Sequence, residues 1–367
     1  MSEWIGAVNV TAPKYLKGAS DNTIRGRFFL KMLEQKGRFE FNQNSFICNW
    51  DVEFAHAPVE SYGDAVLITF NRNDLYRQLN IDWRGYIATD MMYMKESLIN
   101  QGDVAIVDRY GRIVPNLTKG ITNRFGQELF TDGSLSTTRI HGLETFMGAG
   151  ACGAADRVAV PAGAYGGRST ALAAEGGSWS TTLGVGNFPN ATIATDWPDG
   201  NSSTPEYDFM SPKLVNITST GWGTGSTKWE DNCERVLNQT TIWLTRTTGV
   251  EGRPTMYLMS GDLFYGYRNK VQALRRVIVP HREAEDLGFP DVLNVDGVAI
   301  QTDFDVPSGS FYGINVYQMQ VASMNPELFF TKGPDYSPKD LGWLFLVGFF
   351  GNCRYSPKYF AKGKAYA

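Results

Sequence analysis

In this 367-residue chain, 34 Lys and Arg stand against 38 Asp and Glu, a net charge of −4, which argues against a dedicated nucleic-acid binder with a basic stripe. The length exceeds that usual for one domain, and an apolar share of 43% suits a folded core, so two domains or one with large excursions are expected. The three histidines (His56, His141, His281) lie in unrelated contexts and supply little for metal binding or acid–base chemistry.

Cys48, Cys152, Cys233 and Cys353 are far apart, with no CxxC pair. They read as reduced, mostly buried thiols, with no zinc site and no disulfide scaffold. The N-terminus lacks the basic-then-apolar layout of a signal peptide. The longest apolar run, Trp343 to Phe350, is too short to span a bilayer.

Ser20 to Lys36 predicts a short helix, with Ile24, Phe28 and Met32 on one stripe and Gly37 as its stop. Too short to be stable alone in water, it must dock on another surface, within the chain or on a neighbour. From Phe46 the period becomes two: Phe46, Cys48, Trp50, Val52 and Phe54 alternate with Asn49, Asp51 and Glu53, a strand with one buried face. Turn residues around Tyr62 follow, then a return strand through Val66, Ile68 and Phe70, and a further alternation of Leu79, Ile81 and Trp83. The span from Phe39 to about Gly85 therefore reads as a long β-hairpin excursion that reaches over a neighbouring subunit. An ordinary sheet edge is the plainer alternative.

Between Gly102 and Asp132, residues Val104, Val107, Tyr110, Val114, Leu117, Ile121, Phe125 and Leu129 fall three or four apart, predicting one long helix or two collinear ones. Pro115 removes a backbone bond, so a break or bend is expected there. Ser134 to about Lys228 is rich in Gly, Ser and Thr and reads as loops and short strands. Trp229 to Gly249 is an amphipathic helix, Pro254 to Met259 a strand, and Asp262 opens a second helix with Phe264, Tyr267, Val271 and Leu274 on its stripe. Strands complete the chain, among them Trp343 to Phe350, expected to be buried on both faces.

No motif for chemistry survives a check of its context. Gly148 to Gly153 fits GxGxxG as a string but lacks the preceding strand and following helix that a pyrophosphate site requires, and reads as a loop. Asp303 and Asp305 are spaced like calcium ligands, yet the Gly and distal Glu of that loop are missing, so they read as a strand-ending turn before Pro307. Asp296-Gly297 reads as a tight turn. No nucleophile elbow or phosphate loop is present. The aromatic residues, 13% of the chain, sit on helix and strand stripes and point to core and subunit interfaces.

Gly288 to Asn315 reads GFPDVLNVDGVAIQTDFDVPSGSFYGIN. Its Gly-Phe, its strand with Asp-Gly-Val, its Asp-x-Asp-x-Pro turn and its Tyr-Gly-x-Asn strand resemble the closing segment of a tailed-phage major capsid protein. Leu129 to Ser134 (LFTDGS) resembles the end of the spine helix of that family, and His141 to Gly148 (HGLETFMG) its entry to the apical domain. The resemblance covers nearly the whole chain in order. It implies an α+β protein of the Hong Kong ninety-seven type capsid fold. The arm would be 1–38, the extended loop 39–85, the peripheral domain with its spine helix 86–134, the apical domain 135–310 and the closing peripheral strands 311–367.

The same resemblance implies a non-enzymatic shell subunit with no cofactor. It would self-assemble into the pentamers and hexamers of an icosahedral head that encloses double-stranded DNA without sequence-specific binding. A portal and a separate scaffolding protein are expected as partners, since no N-terminal scaffolding segment is visible, and decoration or minor capsid proteins are further candidates. Assembly in the host cytoplasm and a place in the virion follow. Phe28, Met32, Phe46, Trp50, Phe54, Tyr62 and Trp83 are the residues expected at the subunit interface. An encapsulin-like compartment enclosing protein cargo is one alternative, and a carbohydrate-binding or carbohydrate-active protein using the Trp-rich stretch from Gly177 to Trp229 is another.

Overall fold

The computed structural model describes residues 27–53, 70, 72, 75–95, 103–147, 164–169, 210, 212–217, 228–248, 250–274 and 293–364. In chain order the first elements are α1 (Phe28–Gln35), β1 (Phe39–Glu40), β2 (Cys48–Glu53), β3 (Tyr76–Ile81), β4 (Arg84–Tyr93), α2 (Asp103–Glu128), α3 (Glu144–Met147), β5 (Ala164–Tyr165), β6 (Arg168–Ser169) and β7 (Lys213–Asn216). There follow α4 (Trp229–Thr248), β8 (Met256–Met259), α5 (Gly261–Leu274), β9 (Leu293–Val295), β10 (Val298–Thr302), β11 (Ser310–Ile314), β12 (Met319–Ser323), β13 (Phe330–Ser337), β14 (Gly342–Tyr355) and β15 (Ala361–Lys364).

Two sheets organise these elements. A five-stranded sheet runs β1-β12-β14-β13 with β4 also paired to β14, and a six-stranded sheet runs β7-β15-β11-β8-β10-β9. The 14-residue β14 is the keel of the first: its early part lies between β4 and β13, and its last residues, Gly351 to Tyr355, pair with β12. The second is mixed, with β8 parallel to β10 and antiparallel to β11. Asp296 and Gly297 both take positive φ (49° and 77°) where β9 turns into β10, the tight turn expected from their sequence.

The long helix α2 lies on one face of the first sheet. Val114, Leu117, Ile121, Phe125 and Leu129 are all buried, and the Phe125 ring meets Phe349 of β14 edge-on at 5.0 Å. The expected break at Pro115 does not occur, because the helix runs through it. Pro115 is exposed, and the residue four positions earlier, whose carbonyl its ring crowds, is Gly111. With the stripe on the opposite face packed on the sheet, tertiary burial outweighs one lost hydrogen bond.

The expectation that Trp343 to Phe350 is buried on both faces is also corrected. Phe345, Val347 and Phe349 point to α2, whereas Leu344 and Phe350 face outward and are exposed. A strand covered on one side only carries apolar residues on its bare face here, so the continuous apolar run does not report double burial.

The boundaries shift as well. β11 and β15, placed by sequence in the closing peripheral strands, pair with each other and belong to the six-stranded sheet through β8 and β7. Every residue of β11 is buried, which an inner strand of that sheet requires. At the other end, β1 pairs with β12 and belongs to the first sheet, not to the projecting loop. One apolar core spans both sheets, joining Phe125, Phe349 and Phe329 to Leu258, Tyr312 and Ile314, and a smaller one lies under α4 and α5.

Candidate subunit interface

β2 and β3 form an antiparallel hairpin, with Cys48 opposite Ile81, Trp50 opposite Leu79 and Val52 opposite Arg77. The partner of β2 is therefore the further alternation through Leu79 and Ile81, while Val66 and Ile68 of the expected return strand lie outside the described residues. The alternation holds: Cys48, Val52, Leu79 and Ile81 are buried, while Asn49, Asp51 and Glu53 are exposed. This pair is a separate two-stranded sheet, joined edgewise to neither large sheet. Isolated hairpins are marginal in water, so its base needs anchors.

Those anchors are identifiable. Arg354, at the end of β14, donates from Nη1 to Glu40 Oε2 (2.7 Å), from Nη2 to Gln43 Oε1 (3.2 Å) and from Nε to Cys48 Sγ (3.1 Å). Burial pushes the Cys48 thiol up, and the Arg354 guanidinium pulls against it. Trp83 Nε1 donates to the Ser45 carbonyl at 2.8 Å and closes the neck. The β5–β6 turn supports the other side, where Asn80 N donates to Gly166 O (3.0 Å) and the Trp50 ring packs 5.8 Å from Tyr165. Tyr165 is itself buried, its hydroxyl donating to Cys353 O (3.0 Å) and accepting from Tyr355 N (3.1 Å).

The sequence-derived interface residues therefore separate into groups. Phe46 is 97% exposed at the entry to the hairpin, and Phe70, on its return side, is 93% exposed. Trp50 and Trp83 are half-buried against the chain's own core. Phe54 and Tyr62 lie outside the described residues. Phe28 and Met32 are buried in the chain's own core with Phe29, Leu30 and Leu33, so the arm helix has spent its apolar stripe at home.

Sequence reading missed the outward face of the first sheet. Ile87 and Tyr93 of β4 are exposed beside Leu344 and Phe350 of β14, and Phe330 of β13 stacks on Phe350 at 5.2 Å. The register places Ile87 opposite Gly348 and Tyr93 opposite Gly342, so these residues share one face. The clue in the sequence was the unbroken apolar run of β14, which was read as double burial.

The charged groups of the interior make structural bonds. Glu144 accepts from Lys362 Nζ (2.5 Å) and from the Tyr312 hydroxyl (2.8 Å), all three buried. Tyr86 donates to Glu128, which also pairs with Arg124, and burial followed by that carboxylate pushes the phenol well up. His141 is held down at about 4 by burial and by Arg84, and is neutral at pH 7. Among the described residues no group of three or more His, Cys, Asp or Glu is placed to hold a metal, and no helix is long and apolar enough to cross a membrane.

No family model matches the sequence, and no curated protein matches it. Solved structures do. A chain of the Cyanophage A-1(L) capsid is similar with a TM-score of 0.51 and 11% identity, over 92% of this chain and 92% of that one. The capsid of the native GTA particle gives 0.49 and 11% identity over 91% and 90%. The encapsulin complex of Synechococcus elongatus gives 0.44 and 10% over 90% and 86%. The fold is that of a phage capsid subunit, the Hong Kong ninety-seven type, as the sequence resemblance implied.

Proposed function

We propose that this chain is a major capsid protein of a tailed phage, a structural subunit without catalytic function. It self-assembles into the pentamers and hexamers of an icosahedral shell around double-stranded DNA. The observation that carries the reading is coverage: the likeness in fold extends over 92% of this chain and 92% of the Cyanophage A-1(L) capsid chain. Portal and separate scaffolding proteins are the expected partners, and the virion the expected location.

The mechanism is additive contact. Phe46 and Phe70 on the hairpin stand almost wholly in solvent, and Ile87, Tyr93, Leu344 and Phe350 leave a partly exposed apolar face on the first sheet. Burying such surfaces between neighbours, many times over in a closed lattice, turns modest contacts into a stable shell. The interface residues Phe46, Phe54, Tyr62 and Trp83 belong to this proposal, with Trp50 acting at the base of the hairpin.

Negative-stain electron microscopy of the protein expressed alone and with a scaffolding protein tests the reading. Uniform polyhedral shells, or rings of five and six, are the expected result. A persistent monomer under both conditions would overturn it, and shells that hold an enzyme in place of DNA would replace it with a protein-cargo compartment.

A further inference from the structure

The turn between β10 and β11 holds an aromatic ring wholly in solvent: Phe304 is 101% exposed. Single apolar residues on a surface are ordinary. This one differs because everything around it is fixed inward. On one side the Asp303 carboxylate is buried, accepting from Asp305 N (3.1 Å) and from the Phe29 backbone in the first turn of α1. On the other side Asp305 pairs with Arg27, and Arg27 Nη2 donates to Asn123 Oδ1 of α2 (2.7 Å). Val306 N donates to Asp303 O (3.3 Å), and the Val306 side chain enters the core. The arm helix, the long helix and the core thus all grip this short turn, and its aromatic ring is what the turn presents.

We infer that Phe304 is an anchor between subunits, seated in an apolar pocket of a second copy of this chain. The inference rests on the shell reading above, in which copies meet copies. A ring on a turn already ordered by its own chain loses little freedom on docking, and buried aromatic anchors carry a large share of interface energy. The chemistry favours an apolar protein surface over a charged partner, because both flanking carboxylates are engaged within the chain, Asp305 by Arg27 and Asp303 by backbone N–H groups, and the ring is what is left to offer.

The test places photoreactive benzoylphenylalanine at position 304 of the full chain, followed by assembly and irradiation. A cross-linked species of twice the chain mass, mapped by mass spectrometry to one site on a second copy, is expected. Cross-links only within one chain, only to a different protein, or none at all would overturn the inference. In parallel, Phe304→Ala is expected to keep the thermal midpoint of the isolated subunit. It should raise the concentration needed for half-assembly tenfold or more. A lowered midpoint would mean the ring packs inside its own chain, and unchanged assembly would mean it anchors nothing; either defeats this inference while leaving the shell reading intact. Wild-type protein that forms no shells would overturn the shell reading and the anchor with it.

Discussion

Arg27 and Asp305 are 278 positions apart in sequence and joined by an ion pair, with Gly126 of α2 packed against both. The pair fastens the arm to the turn after β10, and through Asn123 to the long helix. Its two side chains are only 15% and 8% exposed, so removing one partner strands the other in a poorly hydrated place. Asp305→Ala is expected to lower subunit stability by about 3 kcal/mol, the usual scale for breaking a buried pair. The apolar double variant Arg27→Met with Asp305→Leu should recover part of that. Urea unfolding of the isolated subunit reads both, and a double variant worse than the sum of the singles would contradict this account.

Two glycines of α2 should behave oppositely. A Cβ at Gly126 would sit 2.5 Å from the Asp305 carboxylate and 3.3 Å from the Arg27 guanidinium, whereas one at Gly120 meets nothing within 4 Å. Gly126→Ala should destabilise by prying the clamp open. Gly120→Ala should stabilise by about 0.5–1 kcal/mol through helix propensity alone. Thermal melts of the two variants would separate them by direction.

The neutral His141 sets a pH dependence. Its pKa falls from the usual value near 6.5 when unfolded to about 4 when folded, so between these limits the unfolded chain binds more protons. Stability from this group is fully present above the unfolded value and is lost as pH falls toward about 4. The shift corresponds to roughly 3 kcal/mol at most. Denaturant midpoints of wild type and His141→Gln, compared at pH 7 and pH 4.5, should converge at the lower pH; parallel curves would show that His141 contributes no such linkage.

Phe46 offers a clean probe of the hairpin. Fully exposed in the subunit, its replacement in Phe46→Asp should leave folding untouched and prevent closed shells. Trp50→Asp should also prevent them, but by another route, since Trp50 packs on Tyr165 and its loss would loosen the base of the hairpin. Circular dichroism with electron microscopy distinguishes the two: native signal without shells for the first, an altered near-ultraviolet signal for the second.

Helix stripes were the most legible part of the fold. Among the described side chains, the α2 stripe from Val114 to Leu129, Cys233, Val236 and Leu237 of α4, and Phe264 and Tyr267 of α5 face core, because helix burial repeats with a period that few other arrangements mimic. The hairpin base was legible for the same reason at period two. β4 was not, since it carries Tyr86, Ala88 and Met92 on one face and Ile87, Met91 and Tyr93 on the other, which removes the alternation. The clamp was also illegible. Asp303 and Asp305 looked like a plain turn, which they are, but their partners lie on Arg27 and at Phe29, and no local pattern announces a bond across most of the chain. Among the candidate interface residues, Phe28 and Met32 showed how an amphipathic stripe demands a partner without saying that the partner is the chain itself.

The buried trio of Glu144, Lys362 and Tyr312 carries a consequence for motion. Glu144 follows the long helix, whereas Lys362 and Tyr312 stand side by side on neighbouring strands of the six-stranded sheet. Hydrophobic contacts tolerate sliding, but two directional bonds to one carboxylate fix both angle and distance, and breaking them exposes a cation and an anion to a medium that solvates neither. The segment that follows the long helix is therefore keyed to the six-stranded sheet and turns with it. In the proposed shell that block would stay unbent and leave curvature to the hairpins and the seams between copies.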